Sequence, residues 1–239
     1  MLPLHQPRVL ASSPPIDPMK NPARWLLAIL LLASAIVHGA PFEGRVLLQR
    51  TEAPGEPNTI IYSVKGDKVR VEVVRERVNS FLTDTTTKET TVIMEDDMAY
   101  LVLSSLAPLP DGPKLEKQGE TMKLLGVSAQ KYVLTSSEGT TELWLAEGFG
   151  LFAGFGDGFE KPPAQKPNVD LPDPVVPWAW EYALGGQPLF PLRVVTRDDA
   201  GREILRIEVK EISSAPLDVR LFSPSRNYKK LDTWPQTRD

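Results

Sequence analysis

Cysteine is absent from this chain of 239 residues, and histidine occurs only twice, as His5 and His38. The missing cysteines exclude disulfides, thiolate nucleophiles and the lipid-bearing N-terminal cysteine of a lipoprotein. Long apolar runs are equally scarce. One run, Trp25 to Val37, spans 13 residues, short of the roughly 20 that a bilayer-spanning helix needs. It follows the basic stretch Lys20-Asn-Pro-Ala-Arg24 and precedes small residues, the order of a secretory signal. Val37-His38-Gly39 before Ala40 is the best cleavage triplet, because Pro41 sits badly just after a cut at Ala40. The expectation is a Sec-type signal peptide with an apolar core at 25–37, cut near Gly39/Ala40, and a periplasmic or secreted product. Residues 1–39 are then dispensable to the fold. The Pro-rich stretch 1–18 ahead of Met19 is either a segment upstream of the true start or a long n-region.

Both histidines leave with that segment, so the expected mature chain has neither imidazole nor thiol. Ser-His-Asp and Cys-His catalysis are thereby excluded, as is structural zinc on N or S ligands. A carboxylate pair is still conceivable, since glycosidases need only Asp and Glu. No acidic residue stands in a recognisable catalytic motif. Glu95, Asp96 and Asp97 form the densest cluster and read as a solvated turn. Asp170 and Asp173 could offer oxygen to calcium but lack EF-hand spacing. No catalytic residue, metal ligand or cofactor is therefore assigned. Losing Arg8, Lys20, Arg24 and Asp17 takes the formal charge from −4 to −6. That balance argues against nucleic acid and against a polybasic membrane contact.

What remains, 40–239, suits one β-rich domain large enough to fold without staples. Period-two alternation is the main signal. Phe42, Gly44, Val46 and Leu48 share one face; Val69, Val71 and Val73 share another; Leu205, Ile207 and Val209 a third. Turn residues at Lys65–Lys68, Glu95–Asp97, Ser137–Gly139 and Asp198–Gly201 separate paired runs. Repeated hairpins make an antiparallel meander, not a βαβ array. About ten strands are expected, with a short helix near Leu217 to Leu221. Met98–Leu103 is apolar on both faces, so it reads as a mid-sheet strand covered on both sides by a helix, a loop or a ligand.

Proline is abundant in two links, Ala107–Pro113 and the longer loop 161–177. A loop of that length is either functional or a mobile flap. Between them lies Gly148-Phe-Gly-Leu-Phe-Ala-Gly-Phe-Gly-Asp-Gly-Phe159. Its glycine spacing fits neither a dinucleotide fingerprint nor a P-loop. It reads as a bendable apolar lid carrying Phe149, Leu151, Phe152, Phe155 and Phe159, either packed as core or gating a cavity. Trp178-Ala-Trp180 follows, with both indoles on one face if the stretch is extended; they are core or they line a ligand site.

Several short motifs resemble those of a bacterial exported family, domain of unknown function 4412. They are Phe42-x-Gly-x-Val46, Tyr62-Ser-Val-Lys-Gly-Asp-Lys-Val-Arg70, Lys131-Tyr132, Glu142-x-Trp144 and Phe222-x-Pro-x-x-Asn-Tyr228. That family is similar to the periplasmic lipoprotein carrier LolA and its receptor LolB. The resemblance implies a single curved antiparallel sheet, an incomplete barrel, with a short helical or Gly/Phe-rich lid over an apolar concave face. It carries over no lipoprotein-exchange residue. The expected function is that of a non-enzymatic, monomeric envelope protein. Its ligand would be apolar, an acyl chain or lipoprotein-like, and its candidate binding residues are Phe149, Phe152, Phe155, Trp178 and Trp180. The alternatives are an interaction module for an envelope protein, with a self-filled cavity, and more remotely a carboxylate-based hydrolase.

Overall fold

The computed structural model describes residues 42–74, 78–104, 113–155 and 178–233. All belong to one unit, Pro41–Asp239. The signal segment with both histidines, most of the link 107–113, the loop 161–177, Phe159, Asp170 and Asp173 lie outside the described residues.

Two antiparallel meanders share one sheet. The first runs β1 (Gly44–Glu52), β2 (Asn58–Lys65), β3 (Lys68–Val74), β4 (Val78–Asp84), β5 (Glu89–Met94) and β6 (Ala99–Ser104). The second runs β7 (Glu116–Leu124), β8 (Val127–Ser136), β9 (Gly139–Ala146), β10 (Phe190–Arg197) and β11 (Glu203–Ser214). A short β12 (Lys229–Leu231) closes the chain's described part. The sheet order is β12-β6-β5-β4-β3-β2-β1-β11-β10-β9-β8-β7. The two meanders therefore meet at a single seam, β1 against β11. The sheet is mostly antiparallel, has 12 strands and is not closed into a barrel. The fold is the mainly β, incompletely closed sheet that the alternation and the family motifs point to.

Alternation explains which face is buried. Gly44, Val46, Leu48 and Arg50 turn inward on β1, while Arg45 and Gln49 face solvent. Ile60, Tyr62 and Val64 from β2, Val69, Val71 and Val73 from β3, and Leu205 and Ile207 from β11 complete the centre of one apolar core. The opposite face of the second meander is polar. There Lys131 pairs with Glu120 and Glu142, and Glu208 with Arg193, Arg206 and Lys210. Such exposed pairs contribute about 0–1 kcal/mol each; their larger effect is to keep this face wet and fix the register.

Three expectations need correction. Met98–Leu103 is not mid-sheet: Met98 is a turn residue, 59% exposed, and β6 lies one strand from the edge. Its outward Tyr100 and Val102 are half-buried, not sealed. The C-terminal segment crosses this side of the sheet instead. Arg70 donates to the Leu221 carbonyl, the Tyr228 hydroxyl to Glu95, and the Lys229 amide to Met98, and β12 then pairs parallel with β6. The helix expected near Leu217–Leu221 is a single 3-10 turn, Val219–Phe222, capped by Asp218. The one α-helix described, α1 (Ala179–Leu184), falls on the tryptophan stretch that alternation reads as extended. No helix among the described residues is long and apolar enough to cross a membrane.

Candidate functional site

The concave face is filled by the chain itself. After β9 the backbone enters Gly148–Phe155, which the glycines at 150 and 154 allow to reverse at φ of 86° and 81°, values costly for other residues. This path sends Phe149, Phe152 and Phe155 down onto the sheet, at 6%, 2% and 0% exposure. Leu151 goes the other way and is 38% exposed, so it is not part of the apolar face expected of it.

The rings form one cluster. Phe152 lies 5.1 Å from Phe155, 6.0 Å from Trp180 and 6.2 Å from Tyr62. Phe190 sits 4.9 Å from Tyr62 and 5.1 Å from Phe149, which in turn meets Phe42 at 4.8 Å. Edge-on and offset rings at these separations are each worth about 0.5–1.5 kcal/mol beyond area burial. Trp180 is fully buried, whereas Trp178 packs half-buried against the same core. Four of the five expected residues thus share one ring cluster, and Trp178 stands beside it. The helix, not strand alternation, sets the two indoles apart, because successive helical residues turn by about 100°.

Sequence reasoning did not include Tyr62, Phe190 and Phe42 among the candidates. The parity of β2, which places Tyr62 with Ile60 and Val64, was a usable signal for the first.

Polar groups pin the plug. The Tyr62 hydroxyl accepts from the Ala153 amide at 3.0 Å, and burial pushes its phenol well above the ordinary range. The Phe152 amide donates to the Gln187 carbonyl, and the Gly186 amide donates to the Phe152 carbonyl. The loop after α1 is thereby stitched to the plug. At the helix start the Glu138 carboxylate accepts from the Ala179 amide at 3.2 Å. Partial burial raises the Glu138 pKa, and that hydrogen bond offsets only part of the shift.

A group whose folded pKa is raised stabilises the fold most below its unfolded value, and that contribution is lost as pH rises through the folded pKa. Glu138→Gln, which keeps the acceptor, should therefore flatten the stability profile above about pH 4. Denaturant titrations between pH 4 and 7 check this; an unchanged slope would show that Glu138 does not contribute to it.

Of the acidic turn cluster, Glu95 takes a structural position: it ties the β5–β6 turn to Arg70 and Tyr228. Among the described residues no group of three or more His, Cys, Asp or Glu could hold a metal.

The model of the family "Domain of unknown function (DUF4412)" matches residues 42–228. The chain belongs to that family. Among curated proteins none matches the sequence. An uncharacterised conserved protein from Thermus thermophilus has a similar structure at TM-score 0.50 and 13% identity, covering 86% of this chain and 99% of the other. PNGF-II is similar at TM-score 0.48 and 15% identity, covering 80% of this chain and 31% of that one. The LolA superfamily protein NE2245 from Nitrosomonas europaea gives 0.31 and 12%, covering 77% and 90%. At 13% identity the likeness to the Thermus protein concerns the fold alone, and a shared fold does not fix an activity.

Proposed function

We propose that this DUF4412 protein is an exported, non-enzymatic component of the cell envelope that receives an apolar ligand, an acyl chain or lipoprotein-like lipid, in its concave face. Trp178 and Trp180 line the site, and Phe149, Phe152 and Phe155 occupy it in the closed state, on the Gly148–Phe155 plug that the ligand replaces. The supporting observation is the plug: an apolar face is covered by a glycine-hinged segment together with the single short helix α1. The export reading rests on the signal pattern before Ala40.

Magnitudes decide how such a site behaves. Exposing three buried phenylalanines costs roughly 5–9 kcal/mol at about 1.5–3 each. An acyl chain of about fourteen methylenes gains roughly 11 kcal/mol gross, and association itself costs about 4–15. The net runs from about 2 kcal/mol in the ligand's favour to about 13 against it, so the resting protein is closed and takes ligand weakly at best. Thinning the plug should shift the balance. Phe149→Ala, at the rim of the cluster, should bind a fluorescent fatty-acid probe at least tenfold more tightly than the unaltered protein, with both folded by circular dichroism.

A second reading is favoured by the closed packing itself: the cavity is permanently self-filled and the protein acts through its surface, for instance on another envelope protein. If neither form binds the probe saturably, and protein isolated from its envelope carries no lipid by mass spectrometry, the ligand reading fails and the second stands.

A further inference from the structure

A separate cleft lies on the opposite side of the sheet. It occupies about 490 Å³ between the start of β1, the end of β11 and the segment that follows β11. That volume is within the roughly 300–1,000 Å³ range of small-molecule sites. Its floor carries Arg45 and Ser213, which are cross-strand partners. Its wall is apolar: Ala215, Pro216, Leu217 and Leu221.

Charge at this cleft is unbalanced. Glu43 is engaged by the Lys65 ammonium at 2.5 Å and by the Leu217 amide at 2.7 Å, which holds the wall in place. Asp218, at the rim, is paired with Arg220, and that pairing drops its pKa to about 2. Arg45 makes no ion pair or side-chain hydrogen bond among the described residues. On its other side the cross-strand partner is Ser63, 1% exposed, whose hydroxyl has no hydrogen-bond partner there either. Among the described residues Arg45 thus presents an uncompensated positive charge to the cleft beside Ser213, while the unpartnered Ser63 hydroxyl is buried on its other side. Glu211, two residues before Ser213 on the same strand face, is the competing acid, and it is exposed.

We propose that this cleft binds the carboxylate head of a small amphiphile, with the Arg45 guanidinium as its anion contact and the Pro216–Leu217–Leu221 wall against its tail. A guanidinium fork matches a carboxylate in shape. A single free cation among the described residues, with Glu211 and Asp218 nearby, suits a monoanion and disfavours a phosphate dianion. The site is independent of the concave face and of the reading given to it.

Calorimetric titration of the full chain with decanoate, decyl phosphate and decanol tests the assignment. Saturable decanoate binding is expected, weakened at least tenfold in Arg45→Ala, which is exposed and leaves the core intact. Decanol should bind at least tenfold more weakly than decanoate, and Glu211→Gln should tighten decanoate by a few fold. Equal binding by Arg45→Ala would assign the ligand to another site and overturn the proposal, as would decanol matching decanoate or an absence of saturation. Decyl phosphate binding more tightly than decanoate would overturn the choice of a carboxylate.

Discussion

Gly44→Ala should destabilise the protein by about 3 kcal/mol or more, at or beyond the upper end of ordinary overpacking. A β-carbon at position 44 would stand 2.1 Å from the Ser213 carbonyl oxygen, and 3.0 Å from the Phe42 ring. The near atom is backbone, so no rotamer change relieves the clash. The position also begins the seam between the two meanders, where Gly44 pairs with Ser214 on one side and Val64 on the other. Relief requires β1 and β11 to part where Val46 and Ile212 also meet. Gly66→Ala supplies the comparison. Its φ is 61° with open space around the missing side chain, so it incurs only the left-handed backbone penalty of about 1–2 kcal/mol. Urea unfolding of both variants separates the two causes. A Gly44→Ala loss no larger than that of Gly66→Ala would mean that the seam yields without cost.

Phe152→Ala is expected to cost about 3–5 kcal/mol, the usual range for deleting a buried aromatic ring. Phe152 is 2% exposed and touches four other rings of the cluster. The cavity left behind is walled by Tyr62 and Phe190, on the sheet, and by Trp180, on α1, so it collapses poorly. For a domain of this size each kcal/mol lowers Tm by about 2–4 °C, which a thermal melt resolves easily. A small loss, below about 1 kcal/mol, would show that the plug is held by its backbone hydrogen bonds and not by its rings. Leu151→Ala, half-exposed on the same segment, should change stability by less than about 1 kcal/mol.

The strands that sequence reasoning found are those with one dry face. β1, β3 and β11 show the alternation because their inward residues are buried and their outward ones are not. β7 was invisible for the converse reason. Its residues, Glu-Lys-Gln-Gly-Glu-Thr-Met-Lys-Leu, are exposed or half-buried throughout, as an edge strand allows, and a register shift between Lys117 and Thr121 breaks any remaining period. Gln130 repairs that irregularity by donating to the Gln118 and Glu120 carbonyls. β12 is three residues long and carries no pattern to read.

The candidate site was legible in composition more than in geometry. Five large apolar residues among glycines marked a bendable lid, but only the fold shows which way each ring turns. The six-residue α1 is too short to display a helical period, and two tryptophans two positions apart imitate a strand. The cleft over Arg45 had no sequence signal at all. It arises from a β11 that ends beside the start of β1 and a tail that returns across both.

That seam also orders events in time. Every other antiparallel pairing joins strands consecutive in the chain, so each hairpin can close while the rest of the polypeptide is still being made. β1, already paired with β2, has to wait for its second neighbour: Val46 meets Ile212 only after the intervening residues have all emerged. Loop-closure entropy grows only slowly with length, so the delay is one of synthesis and encounter more than of equilibrium cost. Until then two half-sheets, each with an unpaired edge and an uncovered apolar face, are exposed to chaperones and to other chains. The first strand made is among the last to gain its second neighbour, and that pairing joins two meanders into one sheet.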